Sequence, residues 1–232
     1  MELFSWASTP TRSASLPHDI RSPIDDGRAL HDERTETGAP APPPTGIEPD
    51  SWLLRLAANK ANYWATYATD LLQMLFFLWW DAVHVRIGAA AVAGLFAAGL
   101  FLWTFSEYAF HRWMYHIPGL PITRWGHDQH HADPTAYFAL PFLATPIVFL
   151  PLQWWVATKL GVHGFSALLA GWFAGAVAYN YLHHALHRHR LPFAWYRHLQ
   201  SQHRIHHAIP DVNFGVTMRY WDRVFGTAFK KR

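Results

Sequence analysis

The chain has 232 residues, of which 51% are hydrophobic, and it contains 13 Trp, 17 His and no Cys. Without cysteine it can have no disulfide framework, thiolate zinc site, iron–sulfur cluster or cysteine nucleophile, so any metal must be bound through nitrogen or oxygen. The formal net charge of +3 is unevenly spread, because Arg and His crowd the segments between long stretches nearly free of charge. This is a membrane pattern, whereas a nucleic-acid binder would spread Lys and Arg over one soluble face, so nucleic acid is set aside as a partner.

The first 50 residues differ in composition from the rest of the chain. They are rich in Pro, Ser, Thr and scattered charge, which predicts a disordered Pro-rich tail. They lack the apolar core of a secretory signal peptide, so we expect the N-terminus to stay in the cytosol. Residues 51–232 are expected to form one membrane-embedded domain.

Four apolar stretches predict four transmembrane helices in an all-α integral membrane protein. The first, residues 63–80, is interrupted by Asp70 and Gln73, and an interfacial or partly buried helix is its alternative interpretation. The second, residues 87–105, is rich in small residues that would allow close helix packing. The third, about residues 136–157, contains three prolines that we expect to kink or break it. The fourth, residues 165–182, follows a short hairpin.

If all four stretches span the bilayer, the linkers 81–86 and 159–164 lie on one side and the other polar segments lie on the opposite side. Nearly all the Arg falls on that second side, which the positive-inside tendency assigns to the cytosol. The same side receives almost every histidine.

Ten of the 17 histidines fall into four short patterns, H-x4-H, H-x2-H-H, H-x3-H and H-x2-H-H. They are His111 and His116, then His127, His130 and His131, then His183 and His187, and finally His203, His206 and His207. On a helix, positions i, i+3 and i+4 lie within about 100° of one another, so each H-x2-H-H can aim three imidazoles at one side. His111 and His116 would diverge by about 140°, so they either serve two different metals or occupy an irregular helix end.

Ten converging imidazoles exceed the six or so ligands of a first-row metal ion, so two ions follow. Imidazole suits Fe, Cu, Zn and Ni alike, and iron is favoured because a redox metal beside a lipid is the simplest reason to build such a site. Polar residues near the patterns could accept the far N–H of a ligating ring. These candidates are Glu107, Asp128, Asp133, Asn180, His184 and Asp211.

The other histidines, and the aromatic residues beside the patterns, also have interpretations that involve no metal. His18, His31, His84 and His163 are read as ordinary surface or core residues, whereas His184, His189 and His198 lie inside or beside the patterns. A basic interfacial belt without metal is the alternative for the ten patterned positions, but such a belt would use Lys and Arg. Aromatic residues beside the patterns are interpreted as an interface belt, as walls of a substrate tunnel, or as both. They are Trp103, Phe105, Phe110, Trp113, Tyr115, Trp125, Tyr137 and Phe138.

At these motifs, roughly over residues 85–230, the sequence resembles the fatty acid hydroxylase and sterol desaturase superfamily. The segment from Trp103 to Arg112, followed by His116, looks most like fatty acid 2-hydroxylases. Similar motifs run from Gly126 to His131, from Tyr179 to His183 with His187, and from His203 to His207. The closing segments, residues 213–215 and 221–227, are shared more widely, including by sterol-acting relatives.

The resemblance implies four transmembrane helices below a cytosolic helical cap, a histidine-rich di-metal centre, and hydroxylation of a lipid acyl chain with O2. It carries the ten histidines over as ligands of two Fe ions, with room for one of them to be an outer neighbour instead, and with Zn able to replace iron in purified material. Two departures stand out. Asn180 replaces the aspartate usual in 2-hydroxylases, and the haem domain fused to eukaryotic members has no counterpart, so a separate electron-donor protein is expected.

We therefore expect a membrane oxygenase of the bacterial inner membrane or the endoplasmic reticulum, with its active site facing the cytosol. A sterol or carotenoid hydroxylase or desaturase of the same superfamily is the main alternative. A membrane cytochrome would place paired histidines within its spans, and a metal transporter would carry ligands near the bilayer midplane.

Overall fold

The computed structural model describes residues 51–84, 87–116 and 121–231, and these residues form an all-helical structure. Eight α-helices follow one another, with π-helical segments after the third and the fifth. The α-helices are α1 (Trp52–Ala57), α2 (Lys60–His84), α3 (Ala89–Ala109), α4 (Pro121–Ala132), α5 (Ala144–Trp155), α6 (Phe165–Arg188), α7 (Ala194–Ala208) and α8 (Tyr220–Val224). The π-helical segments are Phe110–Tyr115 and Val156–Leu160. The predicted tail, with His18 and His31, lies outside the described residues.

Helices α3 and α6 pack against each other closely because glycines remove the side chains between them. A Cβ on Gly99 would lie 1.9 Å from the Leu168 carbonyl oxygen, and one on Gly171 would lie 1.9 Å from that of Phe96. The predicted close packing through small residues is confirmed, and it follows the rule that small residues let membrane helices approach. The two helices thereby form a closely packed pair, with His183 and His187 in the last turns of α6 and His111 in the π-helical segment after α3.

Two continuous helical stretches are long and apolar enough to cross a membrane, Ala89–Tyr115 and Phe165–Arg188. The fourth predicted span lies within Phe165–Arg188, and the second predicted span is helical from Ala89 onward. The first predicted span lies within α2, which continues to His84, so that Asp81 is helical instead of opening a linker. Asp70 and Gln73 are buried, while the opposite face exposes large apolar residues such as Leu72 and Leu75.

The third predicted stretch is helical only from Ala144, so the expected start near residue 136 is wrong. The segment before it is non-helical, and Asn62 holds it, since its amide group donates to the carbonyls of Ala139 and Leu140 and accepts from the Phe142 N–H. Pro151 is accommodated inside α5, which continues into the second π-helical segment. The hairpin is confirmed, and Gly161 and Gly164 at positive φ make the turn into α6.

Candidate metal centre

The ten patterned histidines lie in two groups of five, and within each group the candidate ligand atoms all lie within 4.8 Å of one another. The first histidine group consists of His111, His116, His127, His131 and His206. The second histidine group consists of His130, His183, His187, His203 and His207. The groups are adjacent, since the rings of His131 and His207 stack with centroids 4.4 Å apart.

Each H-x2-H-H pattern contributes to both groups. On α4 the i and i+4 rings enter the first group, and the i+3 ring, His130, enters the second. On α7 the i+3 ring, His206, enters the first group, whereas the i and i+4 rings, His203 and His207, enter the second. The i+3 and i+4 rings flank position i on opposite sides, about 100° apart. One short helix can therefore serve two neighbouring centres.

The π-helical turn after α3 explains the spacing of His111 and His116. Residues 110–115 follow the π-helical pattern, in which hydrogen bonds join residues five apart. Positions i and i+5 then lie on one side, and both rings reach His127, at 3.1 and 2.9 Å between Nε2 atoms. The irregular helix end is confirmed, and both rings lie in the first histidine group.

Burial keeps these imidazoles neutral. The pKa values of His130 and His203 are lowered well below the usual range, chiefly by burial and further by neighbouring imidazoles. Burial likewise lowers the pKa of His116 and of His131 to about 4. At neutral pH each of these rings has one N–H and one lone pair, which is the form that binds metals.

The convergence of ring nitrogens fits a metal ion in each group. His127 Nε2 lies 2.9 to 3.1 Å from the Nε2 atoms of three other rings, and one nitrogen cannot pair with all three. Among the described residues, the buried His130 Nε2 has no hydrogen-bond partner. Two nitrogens bound at right angles to one ion at about 2.1 Å would be about 3.0 Å apart. The Nε2 separations within the second group, from 2.7 to 3.3 Å, fit this value.

Backbone carbonyls, which the sequence did not suggest, orient two rings of the first group. His111 Nδ1 donates to the Phe214 carbonyl at 2.5 Å, and His206 Nδ1 donates to the Val212 carbonyl at 2.8 Å. A proton held on Nδ1 leaves the lone pair of Nε2 facing the centre of the group. The loop before α8 therefore fixes the tautomer of both rings.

Two buried carboxylates hold that loop. Glu107 accepts from the backbone N–H groups of Val216 and Thr217 at 2.6 and 2.8 Å, and from the Thr217 hydroxyl. Asp222 accepts from the N–H groups of residues 214 and 215 at 2.8 and 2.9 Å. Glu107 thus acts on His111 through the loop and not directly. Asp222 was missed, although it stands in the closing motif at residues 221–227.

The other residues predicted to accept the far N–H of a ligating ring have other partners or are exposed. Asp128 pairs with Arg124 at the surface, Asp133 caps the turn at Thr135, and Asp211 is exposed. Asn180 donates to Asp70 at 3.0 Å, and His184 pairs with the Tyr63 hydroxyl at 2.9 Å. The partners in these hydrogen bonds and this ion pair are not patterned histidines. His84, His163, His189 and His198 are exposed.

A cavity of about 450 Å³ opens onto both groups, and its size suits a lipid-like ligand. His127 from the first group and His130, His183 and His187 from the second form part of its wall. The rest is mainly apolar and aromatic, and it includes four of the aromatic residues read as tunnel walls. These four are Trp103, Phe110, Tyr115 and Phe138.

A polar stripe on α2 also lines the cavity and was missed. Tyr63, Tyr67 and Asp70 follow one another at i, i+4 and i+7, so they share one face of the helix. Asp70 accepts from Thr145 at 3.1 Å and from Asn180 at 3.0 Å. The signal available in the sequence was the spacing itself, since polar residues at membrane depth usually mark a functional wall.

Comparison with known proteins gives consistent results. The chain is 30% identical to the dihydroceramide fatty acyl 2-hydroxylase FAH1 of Arabidopsis thaliana, over 69% of this chain and 72% of that protein. It is 35% identical to the ceramide very long chain fatty acid hydroxylase SCS7 of Saccharomyces cerevisiae, over 57% of this chain and 37% of that protein. It is 26% identical to human fatty acid 2-hydroxylase, over 77% of this chain and 51% of that protein.

A solved structure described as full-length scs7p, with only the hydroxylase domain visible, resembles this fold with a TM-score of 0.60 and 26% identity. The alignment covers 78% of this chain and 70% of that chain. A family described as fatty acid hydroxylase matches residues 96–227, a range that includes all ten histidines. The chain therefore belongs to the fatty acid hydroxylase family.

Proposed function

We propose that this chain hydroxylates the acyl chain of a ceramide-type lipid or fatty acid at the carbon next to the carbonyl group. The observation that carries the proposal is the apolar cavity whose wall includes rings of both histidine groups. The names of the relatives support the choice of substrate and of carbon 2. The enzyme is a fatty acid hydroxylase, an oxidoreductase, and its family implies a lipid acyl chain as substrate.

The polar part of the cavity supports hydroxylation near the polar end of the lipid. Asn180 and His183 are three residues apart on α6, which separates them by about 4.5 Å along the helix axis. A lipid carbonyl or hydroxyl hydrogen-bonded near Asp70 and Asn180 would hold a carbon only a few bonds away beside His183. In this chain Asn180 lies between the Asp70 carboxylate and the site. Asn180 stands where 2-hydroxylases usually have aspartate.

We further propose that the ten histidines hold two iron ions, five imidazoles to each. Bound iron supplies the one-electron and dioxygen chemistry that replaces a C–H bond with a C–OH bond. The chain itself orients the ligating rings and shapes the cavity. The carbonyls of Phe214 and Val212 fix the ring orientation of His111 and His206. The cavity wall excludes water and positions one methylene group.

Four membrane spans remain our proposal for the topology. Besides the two apolar stretches described above, α2 has 25 residues, or about 37 Å at 1.5 Å per residue, which is enough to cross a bilayer. Helix α5 exposes Ile147, Val148 and Trp154, as a lipid-facing helix would. The concentration of Arg beside the histidines supports a cytosolic active site, in a bacterial inner membrane or the endoplasmic reticulum. We also propose that residues 51–232 form the hydroxylase domain and that electrons come from a separate protein.

The test is lipid mass spectrometry of cells that lack 2-hydroxylated lipids and express the chain. We expect 2-hydroxyacyl lipids with the unaltered chain and none with His130→Ala or His206→Ala, each of which removes one imidazole from one group. The matched control is His163→Ala, an exposed histidine outside both groups. Iron analysis of the purified proteins should give two ions per chain before substitution. Product formation by both variants at the normal rate would refute the assignment of the ligands.

A further inference from the structure

We propose that Phe149 and Trp172 form the floor of the cavity and set the longest acyl chain that this protein hydroxylates. The inference rests on the proposed function, because it concerns the tail of the acyl chain whose carbon 2 lies beside the histidine groups. It narrows the substrate class to acyl chains of limited length.

One stripe of α6 runs from the second histidine group to the far end of the cavity. The stripe consists of Trp172, Ala176, Tyr179 and His183, all of which line the cavity. Their spacings of four, three and four residues place them within about 60° of one another around the helix axis. Asn180 is turned about 80° away from Trp172, so a polar group bonded to Asn180 leaves the stripe free. An acyl chain with its reacting carbon beside His183 can therefore lie along this stripe.

A packed aromatic cluster closes the far end of the stripe. Of the α6 residues in the cavity wall, Trp172 lies furthest from the histidines along the helix, and Phe149 is the last wall residue of α5. The centroids of these two rings are 5.0 Å apart. Each ring also contacts Phe173, which is fully buried, at a centroid distance of 5.1 Å. An acyl chain that reaches the two rings therefore meets the hydrophobic core and cannot advance without displacing them.

A hydrogen bond and a ring contact fix the orientation of Trp172. Its indole N–H donates to the Ser106 hydroxyl at 3.0 Å. The Trp103 ring meets the Trp172 ring edge-on, with centroids 4.7 Å apart. A side chain held in this way in a close-packed interior has no room for another rotamer. The floor therefore sets a fixed limit and does not yield to a longer acyl chain.

The length of the stripe gives the chain length at which the limit falls. Trp172 and His183 are eleven residues apart, which is about 16 Å along the helix axis at 1.5 Å per residue. An extended alkyl chain advances about 1.3 Å per carbon, since its C–C bonds of about 1.5 Å meet at tetrahedral angles. About 13 carbons beyond carbon 2 therefore reach the floor, which places the limit at about 15 carbons in the acyl chain.

The alternative path for the tail leads out of the cavity beside Val148. This residue lines the cavity and is 57% exposed. Because Val148 directly precedes Phe149 on α5, an extended acyl chain would have to turn aside at the level of the floor to leave there. The straight path along the stripe ends at the two rings. An acyl chain that left beside Val148 would show no limit on its length, and that result would overturn the proposal.

The experiment expresses the full-length protein in cells that lack 2-hydroxylated lipids and supplies acyl chains both shorter and longer than the proposed limit. Mass spectrometry gives the hydroxylated fraction at each chain length, so differences in uptake cancel. For the unaltered protein this fraction should fall about tenfold or more once the acyl chain exceeds the limit, because one methylene group too many in a hydrophobic pocket costs about that factor.

Two substitutions should move the limit in opposite directions. Phe149→Ala lets the floor recede to Phe173, whose ring centroid is 5.1 Å from that of Phe149, so the limit should rise by about four carbons. Ala176→Leu places a larger side chain in the cavity wall about 6 Å before Trp172, so the limit should fall by about five carbons. The matched control is Ile147→Ala, which lies on the exposed side of α5 outside the cavity wall and should leave the limit unchanged.

The outcomes separate the floor from the proposed function. An unchanged limit in Phe149→Ala or Ala176→Leu, with hydroxylated product present, would overturn the floor alone. If Phe149→Ala does not accumulate in the membrane fraction, Phe149→Leu replaces it, with a smaller rise of the limit expected. Absence of product at every chain length from the unaltered protein would refute the proposed function itself.

A photocrosslinking arm tests the floor without turnover. The probe is an acyl chain of the limiting length with a diazirine at its terminal carbon. In the purified full-length protein it should crosslink to Phe149 or Trp172, and an excess of the unlabelled acyl chain should suppress the crosslink. Crosslinks confined to exposed residues such as Ile147, and unaffected by the competitor, would overturn the proposal.

Discussion

Glu107 offers the sharpest test of how the loop before α8 supports the metal centre. Its carboxylate satisfies two backbone N–H groups and one hydroxyl in a buried site, and it holds the loop whose Phe214 carbonyl orients His111. The substitution Glu107→Ala leaves the buried N–H of Val216 and the partly buried N–H of Thr217 without a partner. At about 1–3 kcal/mol for each unsatisfied group, the expected loss of stability is about 4 kcal/mol.

A loss of that size should lower the Tm of the purified protein by about 8–16 °C. Loss of an outer partner of a ligating histidine typically weakens metal binding by about 10–100-fold, so Glu107→Ala should also release metal faster to a chelator. Glu107→Gln keeps one carbonyl oxygen for the two N–H groups, and we expect a much smaller effect. The assays are thermal unfolding in detergent and metal analysis after timed exposure to the chelator.

The reasoning would be refuted if Glu107→Ala kept its Tm and its rate of metal release. The matched control is Asp133→Ala, which removes a carboxylate from an exposed turn. It should lower the Tm only slightly and should leave the metal in place. A loss of stability without faster metal release would show that the carboxylate supports the fold alone.

Three further predictions concern packing, the cavity and the metal. Gly171→Ala should strongly destabilise the protein in thermal unfolding, because the new Cβ would lie 1.9 Å from the Phe96 carbonyl oxygen, whereas Gly94→Ala, with nothing within 4 Å, should not. Gly126→Ala should lower kcat/KM, because the new Cβ would lie 1.8 Å from the Phe138 ring and would push that ring into the cavity. Adding Phe138→Ala should restore turnover. Equal kinetics for Gly126→Ala and the unaltered chain would contradict this reasoning. Removing the metal with a chelator should lower the Tm, and adding iron back should restore it, because an ion bound only to the folded state stabilises that state; an unchanged Tm would count against a metal shared by α4, α6 and α7.

Much of the site could be predicted from the sequence because ligand spacing is a local property. Histidines at i, i+3 and i+4 share one side of any helix, so the patterns predicted convergence before any fold was known. The absence of cysteine limited the ligands to nitrogen and oxygen. The small residues of the second span likewise predicted close helix packing, and the structure shows that α6 is the partner.

Other features depend on how distant segments meet. The sequence suggested acidic side chains as partners of the ligating rings, but the carbonyls of Phe214 and Val212 take that role. Every residue has a carbonyl, so its side chain gives no sign of which carbonyl will face a ring. The stripe of Tyr63, Tyr67 and Asp70 was visible as a spacing, but its partners on α5 and α6 became known only from the fold.

The sequence by itself determined that ten imidazoles would gather beyond the ends of apolar helices, because periodicity and composition act over a few residues. Only the tertiary structure decided how they divide into two groups of five. That division depends on the π-helical turn at residues 110–115, on the relative positions of α4 and α7, and on the loop that fixes the rings of His111 and His206. These are relations between segments as many as 100 residues apart, as between His111 and Phe214, and no local pattern encodes them.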